Sequence, residues 1–96
     1  MITTKERAQL KNLAQNLKPT LNVGKENIGD NTLQEIENYL NKNELMKIKI
    51  LQNSSLGSKE LMNYICEKVG CEPVLVIGKV IVIYKKSNDK KVKHIL

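Results

Sequence analysis

The sequence LNVGKENIGDNT, residues 21–32, decides how the chain is organised. A short apolar strand stops at Gly24, and a polar, basic loop follows up to Gly29. The next residues offer side-chain oxygens that can begin a helix: Asp30, Asn31 and Thr32. Because unpaired N–H groups and the positive end of a helix attract anions, we expect a phosphate to bind where this strand turns into its helix.

Outward from this stretch, the apolar spacing predicts seven elements in the order α-β-α-β-α-β-β. Thr3 and Glu6 match a capping box, and Pro19 excludes the helical conformation for Lys18, so the first helix should end near residue 16 or 17. Gly70 should end the third helix, and Gly78 suits the first central position of a type II′ hairpin. The remaining predicted elements are strands at 20–23, 45–51, 71–77 and 80–84, a helix from 31 to 40 or 42, and a helix at 58–69.

The strand at 45–51 alternates clearly. Met46, Ile48 and Ile50 point to one face of the sheet. Lys47 and Lys49 point to the other face, which should be wet or bound, and these lysines either contact phosphate or simply keep the sheet soluble. The continuous apolar runs at 74–77 and 80–83 favour central strands or a partly apolar open face.

These patterns predict an α/β fold with a mixed four-stranded sheet. The two strand–helix–strand crossovers favour parallel neighbours, and the final hairpin adds an antiparallel pair. The helices should pack mainly on one face of the sheet.

Composition indicates one domain with an aliphatic core. The 96 residues are 41% hydrophobic without Phe or Trp, and 16 basic against 10 acidic residues give a net charge of +6. The surplus sits at the ends: residues 1–18 carry four positive and one negative charge, and residues 80–96 carry five and one. Such a surplus favours polyanions, although solubility alone would also explain it. We expect a domain over residues 1–86 and a flexible basic tail over 87–96.

Chemistry other than binding is not expected. The single histidine, His94, lies in the tail, and no nucleotide-binding or metalloprotease motif is present. Cys66 and Cys71 lack a metal-ligand spacing and should be reduced thiols. No apolar run is long enough for a signal peptide or a membrane span. We therefore expect a cytoplasmic protein that is not an enzyme and uses no cofactor, metal or small-molecule substrate.

Several motifs together resemble the CRM domain, the chloroplast RNA splicing and ribosome maturation module, in its single-domain bacterial YhbY-like form. They are Leu17-Lys18-Pro19, Val23-Gly24-Lys25, Glu35-Ile36, Glu44 to Lys49, Val76 to Lys79 and Ile83-Tyr84. The resemblance implies a fold like the C-terminal domain of a bacterial translation initiation factor. It also implies a GxxG-like loop that clamps an RNA backbone, and association of a monomer with ribosomal RNA in precursor large ribosomal subunits.

Carried onto this chain, the resemblance and the lysine pattern give one set of RNA-binding residues: Lys18, Gly24, Lys25, Glu26, Asn27, Asn31, Lys47, Lys49, Lys85 and Lys86. Asn27 replaces the second loop glycine. Asparagine tolerates a left-handed backbone, but its side chain limits the approach of a phosphate, and Glu26 adds repulsion. Lysines elsewhere should therefore supply much of the affinity.

A second function stays open from the same sequence. The apolar final hairpin favours a protein–protein module that docks on a ribosomal or other partner protein. Tyr84 is the one candidate for stacking on a base, although a tyrosine at a strand end more often packs in the core.

Overall fold

In the computed structural model, residues 2–23, 29–51 and 57–87 are described. All seven predicted elements are present, in the predicted order. The helices are α1 (Thr4–Ala14), α2 (Asp30–Asn43) and α3 (Ser58–Val69). The strands are β1 (Leu21–Val23), β2 (Leu45–Ile50), β3 (Glu72–Ile77) and β4 (Val80–Tyr84).

The capping box of α1 and the glycine that ends α3 form as predicted. The Thr3 hydroxyl accepts from the Glu6 N–H at 3.1 Å, and the Glu6 carboxylate accepts from the Thr3 N–H at 3.0 Å. Gly70 ends α3 with φ +80°, and Gly78 turns the hairpin with φ +56°. Helix α1 ends earlier than predicted, at Ala14, because the chain leaves it through single tight turns.

The four strands form one mixed sheet in the order β1-β2-β4-β3. β1 and β2 are parallel, as the first crossover predicts, whereas β4 is antiparallel to both of its neighbours. The prediction of parallel neighbours is wrong for the second crossover. β3 does run in the direction of β2, but β4 lies between them because the hairpin folds back into the gap.

Each face of the sheet has its own apolar cluster. Helices α2 and α3 cover the face that carries Met46, Ile48 and Ile50, and this is the larger cluster. On the other face α1 packs through Leu10 and Ala14, with sheet residues Leu45, Val74, Val82 and Tyr84. Two of three helices thus lie on one face, as predicted, and the face predicted to be open is partly covered by α1.

β3 is an edge strand, so of the two predicted explanations for its apolar run the central position is wrong, whereas β4 does lie inside the sheet. The register shifts between Pro73 and Leu75, so Val74 is the extra residue of a bulge. As a result Val74 and Leu75 both pack toward α1, while Val76 packs toward the larger cluster. The bulge, together with the partly exposed face, explains an apolar run in an edge strand.

The end of α2 is fastened to the chain that follows β4. Glu44 is completely buried and has φ +64°. Its carboxylate accepts from the Ser87 N–H at 2.6 Å, and its carbonyl accepts from the Lys85 N–H at 2.9 Å. The Ser87 hydroxyl donates to the Asn41 carbonyl. Ser87 is itself buried, so the packed chain extends at least to the first residue of the predicted tail.

Candidate nucleic-acid interface

One row of side chains crosses all four strands on the α1 side of the sheet. The register aligns Asn22, Lys49, Val80 and Ile77. We call this row the open strip, because α1 does not bury it: Asn22 and Lys49 are exposed, and Ile77 is 64% exposed. The open strip has an amide on β1 (Asn22), a cation on β2 (Lys49) and an apolar end on the β3–β4 hairpin.

Lys47 lies one row nearer to α1 and is held differently from Lys49. Its ammonium donates to the carbonyl oxygens of Ala14 at 3.4 Å and Leu17 at 3.2 Å, so it satisfies carbonyls at the end of α1. Lys47 lies on the predicted face of the sheet, but the end of α1 covers that face at this position. A lysine ammonium has three N–H donors, and two are engaged here.

Lys18 and Lys49 both carry exposed positive charge on this side. Both are exposed, and Lys18 directly follows Leu17, whose carbonyl Lys47 contacts. The structure therefore brings Lys18, Lys47 and Lys49 to one side of the sheet, around the end of α1. Three cations on one side suit a polyanion.

The predicted loop residues Gly24, Lys25, Glu26 and Asn27 lie outside the described residues. β1 enters this stretch from Val23, beside the open strip. On its far side Asn31 is exposed in the first turn of α2.

The residues expected to cap α2 do not do so. Asp30, Asn31 and Thr32 all lie inside the helix, because it begins one residue earlier than predicted. Gly29 is the N-cap, and no side chain caps the helix. A Cβ atom at Gly29 would meet nothing within 4 Å, so this position has room for a side chain.

The remaining predicted residues, Lys85 and Lys86, lie at the opposite end of the sheet, since β4 runs away from the open strip. The Lys85 ammonium donates to the Val69 carbonyl at 3.2 Å and pairs with Glu37 at 3.7 Å. Lys86 is exposed. The structure therefore does not bring these two lysines together with the group around Lys49.

Tyr84 is not a platform for base stacking. It is 5% exposed and packs with Leu10 and Leu45 beneath α1. Burial raises the pKa of its phenol. The alternative prediction, that this tyrosine at a strand end packs in the core, is confirmed.

Three further polar residues lie on the α1 side that were not in the predicted set of RNA-binding residues: Lys11, Gln15 and Asn22. Lys11 and Gln15 line a cavity beside α1. The alternation in β1 contained the signal for Asn22, because Leu21 and Val23 on one face leave Asn22 on the other. Nothing local to α1 indicates that Lys11 and Gln15 meet the hairpin.

Two free cysteines lie at the junction of α3 and β3, away from the open strip. The Cys71 thiol donates to the Cys66 sulfur at 3.2 Å. This hydrogen bond lowers the pKa of Cys66 and raises that of Cys71, and burial raises the pKa of Cys71 further. Cys66 is the more exposed of the two, so it is the more reactive thiol.

Across residues 2–23, 29–51 and 57–87 there is no group of three side chains suited to hold a metal ion. Within those same ranges no helix is long and apolar enough to cross a membrane.

The fold and the surface define a class of protein: small α/β proteins with a cationic surface on one side of the sheet. The sequence matches the CRS1 / YhbY (CRM) domain over residues 2–85. The chain belongs to that family, as its motifs predicted.

Relatives of similar length share most of the chain. It is 32% identical over 92 residues to an RNA-binding protein of Haemophilus influenzae, covering 96% of this chain and 93% of the relative. It is 32% identical over 91 residues to the Probable RNA-binding protein YqeI of Bacillus subtilis, covering 95% of each chain. These relatives are named as RNA-binding proteins and not as enzymes.

A solved structure confirms the fold. The solution structure of SAV1595, a hypothetical protein and candidate RNA binding protein from Staphylococcus aureus, superimposes with a TM-score of 0.78. It is 38% identical, and the match covers 95% of each chain.

Proposed function

We propose that this protein binds RNA with the α1 side of its sheet, at the end where β1 leads into residues 24–28. The observation that carries this proposal is the juxtaposition of Lys18, Lys47 and Lys49 in a chain whose full-length relatives are named RNA-binding proteins. Lysines that neutralise phosphates release counterions, which gives affinity that does not depend on sequence.

The proposed roles of the predicted residues differ. Lys49 and Lys18 contact phosphates directly, because their side chains are exposed. Lys25 and its loop neighbours Gly24, Glu26 and Asn27 contribute the backbone clamp that the family resemblance implies, with Asn31 beside them. Lys85 and Lys86 form a second, weaker contact at the far end of the sheet.

The proposed target is ribosomal RNA in precursor large ribosomal subunits, where the protein would assist assembly as a cytoplasmic monomer without catalysis. Support for this finer proposal comes from the resemblance to YhbY-like proteins. It is also consistent with a surface in which lysines outnumber base-reading groups, since binding by backbone and shape suits a folded RNA.

The test compares Lys49→Gln with Lys68→Gln, each of which removes one exposed positive charge. Lys68 lies on α3, on the opposite face and at the opposite end of the sheet. Lys49→Gln should weaken binding to ribosomal RNA several-fold and reduce the salt slope by about 1, whereas Lys68→Gln should not. Equal effects of the two changes would reject the assigned surface, and affinity that is independent of salt would reject RNA binding through phosphates.

A protein–protein module is the second candidate, because Ile77 exposes 64% of its surface at the end of the hairpin. An interface formed there would change little between low and moderate salt. The same titration therefore separates the two functions.

A further inference from the structure

We propose that the cavity between α1 and the β3–β4 hairpin is a pocket for one base of single-stranded RNA. This inference rests on the proposed function and assigns a base contact to a protein otherwise expected to bind only backbone. We call the cavity the α1 groove. Its lining residues are Lys11, Ala14, Gln15, Lys47, Leu75, Ile77, Val80 and Val82.

The floor of the α1 groove is apolar and belongs to the sheet. The bulge in β3 turns Leu75 toward α1 in addition to Val74, and Ile77 and Val80 form the closing pair of the hairpin. On the helix side the small side chain of Ala14 leaves room above these residues. The result is an aliphatic surface formed by Leu75, Ile77 and Val80 that the protein's own side chains leave partly uncovered, and Ile77 is its most exposed member.

The size of the α1 groove suits a ring. Its volume is about 260 Å³. Pockets for drug-sized ligands hold roughly 300–1,000 Å³, so this one fits a single ring system better than a larger molecule. Gln15 at the rim offers both a donor and an acceptor, which matches the mixed edge of a base.

The charge around the α1 groove selects an anionic ligand. Both ionisable side chains in its lining are lysines, Lys11 and Lys47, and Lys49 adjoins it in the open strip. Lys47 retains one N–H donor beyond the two that it gives to α1. An apolar floor with a cationic rim fits a nucleotide, whose ring is flat and weakly polar and whose phosphate is negative.

An acidic peptide would satisfy the charge, but the neighbouring strand edge does not favour one. Peptides that bind beside a sheet commonly add a strand through regular backbone hydrogen bonds. Pro73 lacks an N–H group, and the bulge at Val74 interrupts the edge of β3. A base needs no such edge, so the observations favour RNA.

The test uses two probes of similar charge, single-stranded oligo(A) and inorganic polyphosphate, which lacks bases. Ile77→Ser removes part of the apolar floor, and Leu13→Ser is the matched control, since Leu13 is 41% exposed on α1 and does not line the α1 groove. Thermal unfolding checks that both variants fold.

We expect Ile77→Ser to bind oligo(A) about threefold to tenfold more weakly, at the low end of measured base contacts because the floor is aliphatic. Its affinity for polyphosphate should be unchanged, and Leu13→Ser should change neither affinity. In NMR spectra adenosine monophosphate should shift the methyl signals of Leu75, Ile77 and Val80 upfield, because the ring current of a stacked base does so.

Three results would overturn the proposal. Oligo(A) binding by Ile77→Ser at the original affinity, with polyphosphate also bound, would reject the pocket and leave RNA binding intact. Failure of the unaltered protein to bind either probe would reject the proposed function itself. Loss of affinity for an acidic, leucine-containing peptide in Ile77→Ser, with RNA affinity unchanged, would make the α1 groove a protein-docking site.

Discussion

At position 44, the variant with glycine should be more stable than the variant with alanine, which is the reverse of the usual order. The φ of +64° at Glu44 lies in a region that costs a residue with a side chain about 1–2 kcal/mol. Opposing this cost, the buried carboxylate accepts from the Ser87 N–H at 2.6 Å, and a hydrogen bond to a charged group contributes about 1.5–3 kcal/mol.

Glu44→Ala loses the hydrogen bond and keeps the unfavourable backbone conformation, so it should destabilise the protein by about 2 kcal/mol. Glu44→Gly loses the same hydrogen bond but removes the backbone cost. Glycine also gives the unfolded chain more freedom, which takes back about 0.4–1 kcal/mol. The net expectation is that the glycine variant is more stable than the alanine variant by about 1 kcal/mol.

The assay is urea unfolding followed by far-UV circular dichroism, with thermal unfolding as a second measure. A difference of about 1 kcal/mol corresponds to roughly 4–8 °C in a domain of this size. Asn43, the last residue of α2, is the matched control. Inside a helix glycine is less stable than alanine by about 1 kcal/mol, so Asn43→Gly and Asn43→Ala should show the opposite order. If alanine is also the more stable replacement at Glu44, the backbone explanation is refuted.

Three further predictions concern other contacts. Lys47→Met should destabilise the protein by about 1 kcal/mol in urea unfolding, because the Ala14 and Leu17 carbonyls lose their donor. A change confined to Lys49 should not destabilise it. If the Lys47→Met variant is as stable as the unaltered protein, Lys47 does not hold α1. In iodoacetamide labelling followed by mass spectrometry, Cys66 should react before Cys71, and Cys71→Ala should move the midpoint of Cys66 labelling to higher pH, since the Cys71 thiol stabilises the Cys66 thiolate. The hydrogen bonds with Thr3 lower the pKa of Glu6 in the folded protein. Their stabilising effect is therefore complete above the ordinary pKa of 4.5 and is lost as the pH falls through the lowered folded-state pKa. In thermal scans at decreasing pH, a Glu6→Gln variant should lack this loss of stability.

Features that depend on neighbours in sequence were predictable. The capping box of Thr3 and Glu6, the left-handed Gly70 and the limits of β4 each follow from interactions within a few residues. The family followed from short motifs in the right order. Such signals do not require knowledge of how the elements pack.

Features that depend on distant contacts were not predictable. Alternation treats Lys47 and Lys49 alike, and their different roles arise because α1 ends above one and not the other. The second crossover permits β3 beside β2, and only the return of the hairpin places β4 between them. In the same way, the α1 groove joins residues near the start of the chain to residues of its last hairpin.

Glu44 illustrates a third reason why a structural feature cannot be predicted from sequence. The position after a helix with positive φ usually holds glycine or asparagine, so a glutamate there gives no sequence signal. Its burial depends on Ser87, which lies forty-three positions away. A residue that violates a local preference is explained only when its distant partner is known.

The strand order has a consequence for how the chain acquires its structure. β4 is the last of the described elements in sequence, yet it supplies the hydrogen bonds that join β3 to the rest of the sheet. Pairing of residues 45–49 with residues 80–84 requires closing a long loop, a step that slows folding relative to local contacts. During synthesis the first three strands exist without the strand that unites them, and a chain that stops before Val80 has both β2 and β3 unpaired on the side that β4 would fill. Completion of the sheet must therefore wait until β4 has been synthesised.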